Sequence, residues 1–142
     1  MSNYREADSE WSAFMARLDA AEHEFAQGRP AAFKALWSHG DEVSLCGGFG
    51  GMESGWEKVA ARLDWASSQI SDGTRSSEQM RSSVGADFAY IVQTEQIRFR
   101  APARAQQSTL EFRVTMVFRR EAEGWRIVHR HADPQMGRQP PQ

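Results

Sequence analysis

The chain has 142 residues, of which 40% are hydrophobic and 25% are charged, and its net charge at pH 7 is −2. This length and composition suit one globular domain. The slightly negative charge argues against a general nucleic-acid-binding protein, which needs a basic surface to displace counterions from phosphates.

Cysteine content and hydropathy bear on the compartment. The one cysteine, Cys46, excludes an internal disulfide and fits a reducing environment. The first ten residues lack the apolar stretch of a signal peptide, and no apolar run is long enough to span a bilayer. We therefore predict a cytoplasmic protein with no membrane partner and no nucleic-acid partner.

Three helices are predicted in the N-terminal half. Apolar residues recur at helical spacing from about Asp8, and the first helix is expected to end at Gly28, since glycine suits the position just past a helix. Pro30 suits the first turn of a second, short helix over 31–37. The elements expected next are a strand over 43–46, a glycine-rich bend over 47–51 and a third helix over about 55–70.

The C-terminal half is predicted to be an antiparallel sheet. After a turn at 71–74, the predicted strands span 75–84, 88–100, 110–120 and 125–132. The third of these alternates strictly, which is typical of a strand with one buried face. Its apolar face carries Leu110, Phe112, Val114, Met116 and Phe118. Helices followed by a run of strands indicate an α+β fold.

We predict one domain over 8–133. The polar residues 1–7 are expected to be flexible. Residues 134–142 are rich in proline and glutamine and are expected to be disordered.

Three segments resemble a known superfamily. They are Leu36-Trp37-Ser38-His39-Gly40-Asp41-Glu42-Val43-Ser44-Leu45, Gly55-Trp56-Glu57-Lys58-Val59, and Phe118-Arg119-Arg120 followed by Gly124-Trp125-Arg126-Ile127-Val128-His129-Arg130-His131. Their order is similar to that of the nuclear transport factor 2-like superfamily, especially its SnoaL-like and ketosteroid-isomerase-like members. The last segment is also similar to the association domain of calcium/calmodulin-dependent kinase. The resemblance covers about residues 8–133.

The resemblance implies a fold and an assembly but no single reaction. The implied fold is cystatin-like, with a cone-shaped, strongly curved antiparallel sheet against three N-terminal helices and a pocket at the open end. It also implies a homodimer formed through the sheet. Because the superfamily contains isomerases, dehydratases, cyclases, binding modules and assembly domains, the reaction has to be argued from the site.

Charges known from the superfamily's pockets are missing at the matching positions. The general-base carboxylate of ketosteroid isomerases falls near Gly47, and no Asp or Glu lies within two residues of it. The pocket arginines of the kinase association domain fall at Val92, Thr115 and Ala132. The resemblance therefore disfavours a steroid-isomerase mechanism.

Candidate polar site residues lie on the long strands. The resemblance implies that one face of strand 88–100 lines the pocket, together with parts of strands 110–120 and 125–132. Tyr90 could donate a hydrogen bond to a developing oxyanion, and Arg113 or Arg130 could hold a carboxylate or phosphate. We therefore predict Tyr90, Arg113 and Arg130 as catalytic residues, and Val92, Thr94, Thr115 and Val128 as substrate contacts. The alternative is an exposed face with ordinary charges.

Large aromatic residues are candidates for the pocket wall. We predict that Trp37, Phe49 and Trp56 contact the substrate, because Phe49 and Trp56 flank the glycine-rich bend at the expected pocket mouth. The alternative is that they belong to the core.

Two histidines and an aspartate alternate along the last strand. His129, His131 and Asp133 would share one face, where they could bind a divalent metal or form an acid–base set. The set has no third nitrogen or sulfur ligand, which argues against a zinc site, and the resemblance implies that the histidines face outward. We therefore predict no metal site, and the alternative roles are to cap the strand or to lie at a dimer interface.

The combined prediction is a small-molecule pocket protein of the SnoaL-like type. Isomerisation, dehydration or cyclisation without a cofactor are the reactions it suggests, on a small ligand that is apolar or partly anionic. The alternative is a non-catalytic ligand-binding module or a dimeric association module.

Overall fold

A computed structural model describes residues 2–141, with side chains from residue 9 onward. These residues form three helices: α1 (Ser2–Ala26), α2 (Ala31–Ala35) and α3 (Trp56–Ser68). They also form six strands: β1 (Ser44–Cys46), β2 (Met52–Ser54), β3 (Ser71–Val84), β4 (Phe88–Arg100), β5 (Gln107–Glu121) and β6 (Gly124–Pro134). Among residues 2–141, no helix is both long and apolar enough to cross a membrane.

The six strands form one curved, open sheet in the order β2-β1-β6-β5-β4-β3. All neighbouring strands are antiparallel except β1 and β6, which run parallel. The three helices lie against one face of this sheet, and the core between them includes Phe14, Leu18, Ile91, Val114, Met116 and Phe118. The predicted α+β fold with three N-terminal helices and a curved sheet is confirmed.

The inner face of the sheet is set by the alternation of β4 and β5. In β4 the odd-numbered residues from Ala89 to Phe99 are buried, and in β5 the even-numbered residues from Phe112 to Phe118 are buried. The predicted apolar stripe of β5 is therefore core, packed beneath the helices.

Aromatic residues close one end of the core. The Trp11 ring packs edge-on against Phe118 and Trp125, each with a centroid distance of 5.2 Å. Phe14 packs edge-on against Phe118 at 5.5 Å. Because the first half of α1 is used in this cluster, the space under the helices lies toward the C-terminal end of α1.

The first helix and the last strand extend past their predicted bounds. The helix α1 begins at Ser2, before the predicted start near Asp8; Met1 lies outside the described residues, and the flexibility of residues 1–7 stays a prediction. A polar segment without an apolar stripe can still extend an existing helix, because each added residue gains one hydrogen bond. At the other end β6 continues to Pro134, and the Gln135 N–H donates to the Glu111 carbonyl at 2.9 Å. Residues 136–141 form no helix or strand.

The predicted turn at 71–74 is wrong, because these residues begin β3. The register of β3 with β4 shifts between Ser71 and Thr74, and Asp72 within this bulge has a positive φ of 53°. A Cβ at Gly73 would collide with the backbone of Ala26. The glycine therefore serves a close approach of β3 to the end of α1, and this contact is invisible in a local reading of the sequence. The strand β2 was not predicted, since three residues carry too little pattern.

Candidate active site

A cavity of about 70 Å³ lies between the helices and the inner face of the sheet. That volume is enough for a few water molecules or a compact ligand group. Most of its wall is apolar and comes from Phe25, Phe33, Leu45, Leu63, Ala66, Ile70, Ile97, Leu110 and Phe112.

Four charged side chains form one end of the cavity. They are Glu22 of α1, Arg75 of β3, Glu95 of β4 and Arg130 of β6. Their side chains are 7%, 3%, 1% and 13% exposed, respectively. Charges at this depth are tolerated only when they are paired, and here two carboxylates face two guanidinium groups. We call these four residues the buried charge cluster.

Arg130 and Glu95 form the best-defined pair in the buried charge cluster. Arg130 Nη1 and Nη2 donate to the two oxygens of Glu95 at 3.0 and 2.9 Å. Gln93 Nε2 donates to Glu95 Oε2 at 2.8 Å. Such a bidentate fork fixes both planes as well as both charges, so Glu95 holds Arg130 in one orientation.

Arg75 connects the other members of the cluster. It pairs with Glu22, lies 3.4 Å from Glu95 Oε2, and donates to Asp19 Oδ1 at 3.2 Å. Glu22 Oε1 lies 3.6 Å from Arg130 Nη1, beyond hydrogen-bonding distance. Within the described part of the chain, Glu22 Oε1 and Arg75 Nε are buried without a hydrogen-bond partner. Each such atom costs about 1–3 kcal/mol, so a hydrogen-bond partner at either atom would stabilise the folded chain.

The two carboxyl groups of the cluster have opposite pKa shifts. Burial, followed by the Glu95 carboxylate, raises the pKa of Glu22 from 4.5 to about 7, against the lowering effect of Arg75 and Arg130. Burial alone would also raise the pKa of Glu95, but the charge and hydrogen bonds of Arg130 outweigh it and lower that pKa to about 2. Glu95 is thus ionised at neutral pH, whereas Glu22 changes charge near neutral pH. Two carboxyl groups with separated pKa values are typical of acid–base sites.

The glycine-rich segment 47–51 forms the mouth of the cavity. Phe49 lies there, 37% exposed, and packs edge-on against Trp65 at 5.5 Å. Arg62 lies 4.1 Å above the Trp65 ring, and its Nη2 donates to the Gly50 carbonyl at 3.2 Å. Helix α3 therefore holds the segment in place through Arg62. A Cβ at Gly48 would come within 2.5 Å of the Phe112 ring, so only glycine fits there without moving a wall residue.

Two of the predicted site residues line the cavity. Arg130 lies at its charged end and Phe49 at its mouth. Trp37 and Trp56 do not line it. Trp37 is fully buried in the core, and Trp56 stacks on His39 with a centroid distance of 4.0 Å. For Trp37 the core alternative is the one that the structure supports.

The residues predicted on β4 and β5 lie on the opposite face of the sheet. Because the odd-numbered residues of β4 point inward, the even-numbered residues point outward, and the same reasoning applies to the odd-numbered residues of β5. The predicted residues placed on the outer face are Tyr90, Val92, Thr94, Arg113 and Thr115. The expectation that these residues face the pocket is wrong. It was based on the resemblance, which assigned the even-numbered residues of β4 to the inner face, whereas the odd-numbered residues lie there.

A β-bulge in β6 explains the position of Arg130. Val117 pairs with His129 and the next residue, Phe118, pairs with Ile127, which leaves Val128 as the extra residue. A bulge changes which alternate residues face the core, so Ile127 and Arg130 both point inward. Val128 is half-buried and does not line the cavity, contrary to prediction.

The histidines of β6 point away from the cavity. His129 Nδ1 shares a 2.8 Å hydrogen bond with Ser44 Oγ, and His131 Nε2 lies 2.9 Å from Asp133. Burial, followed by the charge of His131, lowers the pKa of His129. No group of three His, Cys, Asp or Glu side chains among those described is arranged to hold a metal ion.

Three members of the buried charge cluster were not predicted as site residues. Glu22 falls within the apolar stripe of α1, and Glu95 falls at an inward position of β4 between Ile91 and Ile97. In both cases, a carboxylate at a position that the sequence pattern assigns to the core indicates a buried charge. Arg75 had no comparable signal, because β3 is mostly exposed.

Comparison with protein families gives one match that covers most of the chain. A family profile described as "SnoaL-like domain" matches residues 14–135. No curated protein sequence is significantly similar to the chain.

Several solved structures share the fold. A candidate dehydratase of the nuclear transport factor 2-like family from Streptomyces avermitilis is 20% identical, with a TM-score of 0.76, 92% of this chain and 99% of that chain being covered. A candidate scytalone dehydratase from Novosphingobium aromaticivorans is 12% identical, with a TM-score of 0.74 and coverage of 96% and 89%. A candidate calcium/calmodulin-dependent protein kinase type II association domain from Thiobacillus denitrificans is 22% identical, with a TM-score of 0.71 and coverage of 88% and 94%. At these identities the likeness concerns the fold alone.

Proposed function

The chain belongs to the SnoaL-like domain family, and we propose that it is an enzyme in which Glu22 moves a proton on a small molecule held in the cavity. Isomerisation, dehydration and cyclisation all require such a proton transfer, and none of them needs a cofactor for it. Two of the similar structures are described as candidate dehydratases, which supports this group of reactions.

The observation that carries the proposal is the state of the Glu22 carboxyl group. It lies at the charged end of an apolar cavity, its Oε1 has no hydrogen-bond partner among the described residues, and its pKa is raised to about 7. A general base works best when its pKa lies near the working pH, because it is then both available and strong enough.

The rest of the buried charge cluster shifts the pKa of Glu22. The negative charge of Glu95 disfavours the ionised form of Glu22, and the guanidinium groups of Arg75 and Arg130 favour it. In the proposed step Glu22 accepts a proton from a substrate carbon, the C–H electron pair moves into the substrate, and the proton returns from Glu22 in the next step. The two arginines offset the negative charge that develops in between.

This proposal changes the roles of the residues expected from sequence. Arg130 is retained as a positioning residue, because its guanidinium faces Glu22 and is fixed by Glu95. Tyr90 and Arg113 lie on the outer face of the sheet and have no part in it.

Proton exchange tests the proposal without knowledge of the natural substrate. A panel of small cyclic ketones and hydroxyketones is incubated in D₂O, and deuterium incorporation beside the carbonyl is followed by NMR. We expect the wild type to accelerate exchange of at least one compound. In Glu22→Gln this acceleration should be smaller by a factor of at least about 100. Glu24→Gln is the matched control, two residues away on α1. A wild type without acceleration, or a Glu22→Gln variant as fast as the wild type, would falsify the proposal.

A second candidate function is association through the outer face of the sheet. Phe88 is 57% exposed and Tyr90 is 41% exposed, and Val92 and Val117 lie on the same face. Exposed apolar side chains grouped in this way are typical of protein contact surfaces. Structures described as association domains share the fold, which supports a homodimer built on this face.

Light scattering tests the association. If the outer face joins two copies, Tyr90→Glu should convert a dimer into a monomer at micromolar concentration. Thr109→Glu is the control, because Thr109 lies opposite Arg98 near the far end of β4. A wild type that is already monomeric at this concentration rules out the homodimer.

A further inference from the structure

Two buried atoms at the charged end of the cavity have complementary hydrogen-bonding needs. Glu22 Oε1 is an acceptor and Arg75 Nε–H is a donor, and neither has a partner among the described residues. The two side chains form an ion pair and both line the cavity, so the two atoms lie at the same end of it. A hydroxyl group meets both needs, because it carries one donor and two acceptor sites on one oxygen.

The charge of the cluster restricts the ligand further. With Glu22 ionised, two carboxylates balance two guanidinium groups, and the buried charge cluster has no formal net charge. An anionic ligand would bring a third negative charge next to Glu22 and Glu95, and a cationic ligand would bring a third positive charge next to Arg75 and Arg130. Away from water, either addition is costly. The cluster therefore favours a neutral polar group over a carboxylate or an ammonium group.

The remaining wall restricts the body of the ligand. Beyond the cluster, nine apolar side chains form most of the wall, three of them the rings of Phe25, Phe33 and Phe112. Arg62 also lines the cavity, beside the segment 47–51, where its guanidinium donates to the Gly50 carbonyl and lies over the Trp65 ring. The apolar part of the wall offers no partner to a second polar group, so further polar groups on the part of the ligand that it surrounds would be desolvated without compensation. The small volume of about 70 Å³ favours a compact ligand.

We propose that the cavity binds a compact, neutral, hydroxyl-bearing molecule whose hydroxyl group donates to Glu22 Oε1 and accepts from Arg75 Nε. This inference rests on the proposed function, since it names the ligand class of the same site. The sequence predicted a small ligand that is either apolar or partly anionic. The ligand proposed here is neutral and carries a hydroxyl group on an apolar body.

Three ligands with the same ring test this inference. Cyclohexanol can donate and accept, cyclohexanone can only accept, and cyclohexanecarboxylate is an anion. We expect calorimetry at pH 8.5 to give a Kd for cyclohexanol at least tenfold lower than the Kd for either of the others. Equal affinities, a preference for the ketone or the anion, or no binding of cyclohexanol overturns the inference.

The pH dependence of the preference gives a second readout. A hydroxyl group that donates to Glu22 prefers the ionised carboxylate, so the preference for cyclohexanol over cyclohexanone should shrink several-fold between pH 8.5 and pH 5.5. Glu22→Leu should abolish the preference at pH 8.5, and Glu24→Leu should keep it. A preference that is independent of both pH and Glu22 overturns the inference.

The two proposals fail separately. Proton exchange that depends on Glu22 without a preference for the alcohol overturns the ligand class and leaves the proposed function standing. A preference for the alcohol that depends on Glu22, without proton exchange, overturns the catalytic proposal and supports the ligand class.

Discussion

Arg130 of β6 reaches across the intervening strand β5 to Glu95 of β4 and forms two hydrogen bonds of 3.0 and 2.9 Å with its carboxylate. On the way, Arg130 Nη1 lies 3.5 Å from the sulfur of Met116, on β5. The pair therefore ties three neighbouring strands together at the charged end of the cavity. It also leaves Glu22 as the carboxyl group of the cluster that changes charge near neutral pH.

Breaking this pair should destabilise the protein strongly. Arg130→Met leaves the Glu95 carboxylate buried without its bidentate partner, and we expect the free energy of unfolding to fall by about 3–5 kcal/mol in urea titrations. The double variant Glu95→Leu/Arg130→Met removes both charges and should recover at least half of the loss. Glu111→Gln on the outer face is the control and should change stability by less than about 0.5 kcal/mol. A loss below about 1 kcal/mol in Arg130→Met would contradict the pairing.

The raised pKa of Glu22 should make stability fall with rising pH. The unfolded chain releases the Glu22 proton near pH 4.5, whereas the folded chain keeps it until about pH 7. The stabilising effect of the protonated carboxyl is thus full below about pH 4.5 and is lost as pH rises through 7. Glu95 has the opposite sign, because its pKa is lowered to about 2, and its contribution is lost only as pH falls below 4.5.

Urea unfolding between pH 5 and pH 8 checks this effect. Relative to Glu22→Gln, the wild type should lose about 2–3 kcal/mol over this interval, because pH 5 to pH 8 covers most of the span between the unfolded and folded pKa values. Comparing the two proteins removes the contribution of the histidines. Parallel pH profiles would show that Glu22 does not hold its proton in the folded state.

Gly48 should be intolerant of even a methyl group. A Cβ at this position meets the Phe112 ring at 2.5 Å, so Gly48→Ala should push that ring into the cavity. We expect a loss of about 1–3 kcal/mol in stability and weaker binding of cyclohexanol. Gly47→Ala is the control, because its Cβ would lie 3.8 Å from the Gly50 carbonyl, an ordinary contact. Phe112→Leu in the Gly48→Ala background should restore part of the loss, and equal behaviour of the two alanine variants would count against a tight wall.

The two arginines predicted from sequence should behave differently. Arg130→Lys removes the bidentate fork on Glu95 and should slow Glu22-dependent proton exchange at least tenfold, with a displaced pH profile. Arg113→Lys alters the outer face and should leave both the rate and the profile unchanged. An effect of Arg113→Lys as large as that of Arg130→Lys would place the site on the outer face after all.

The fold was predictable because its signals are local and repeated. Strict alternation in β5 and the apolar stripe of α1 identify the two layers without any tertiary information. The bend at 47–51 and the hairpin before Trp125 also follow from residue types. The start of β3 was missed, because Gly73 marks a contact with α1 rather than a turn.

The site was harder to predict, because it depends on which alternate residues of each strand face inward and on contacts between residues far apart in the sequence. The inward position of Glu95 follows from Ile91, Ile97 and Phe99, but resemblance pointed to the other face of β4. The inward position of Arg130 follows from the bulge at Val128, which changes the alternation within β6. The unusual state of Glu22 arises only when four elements bring their charges together, and no local pattern contains that information.

The protonation of Glu22 in the folded protein is the most direct test of the catalytic account. NMR of protein carrying ¹³C-labelled glutamate, titrated from pH 4 to pH 9, follows the carboxyl carbon of Glu22, and Glu22→Gln identifies its signal. We expect a midpoint near pH 7, with the Glu95 signal still in its ionised position at pH 4. A Glu22 midpoint near the ordinary value of 4.5 would contradict the role of Glu22 as the general base.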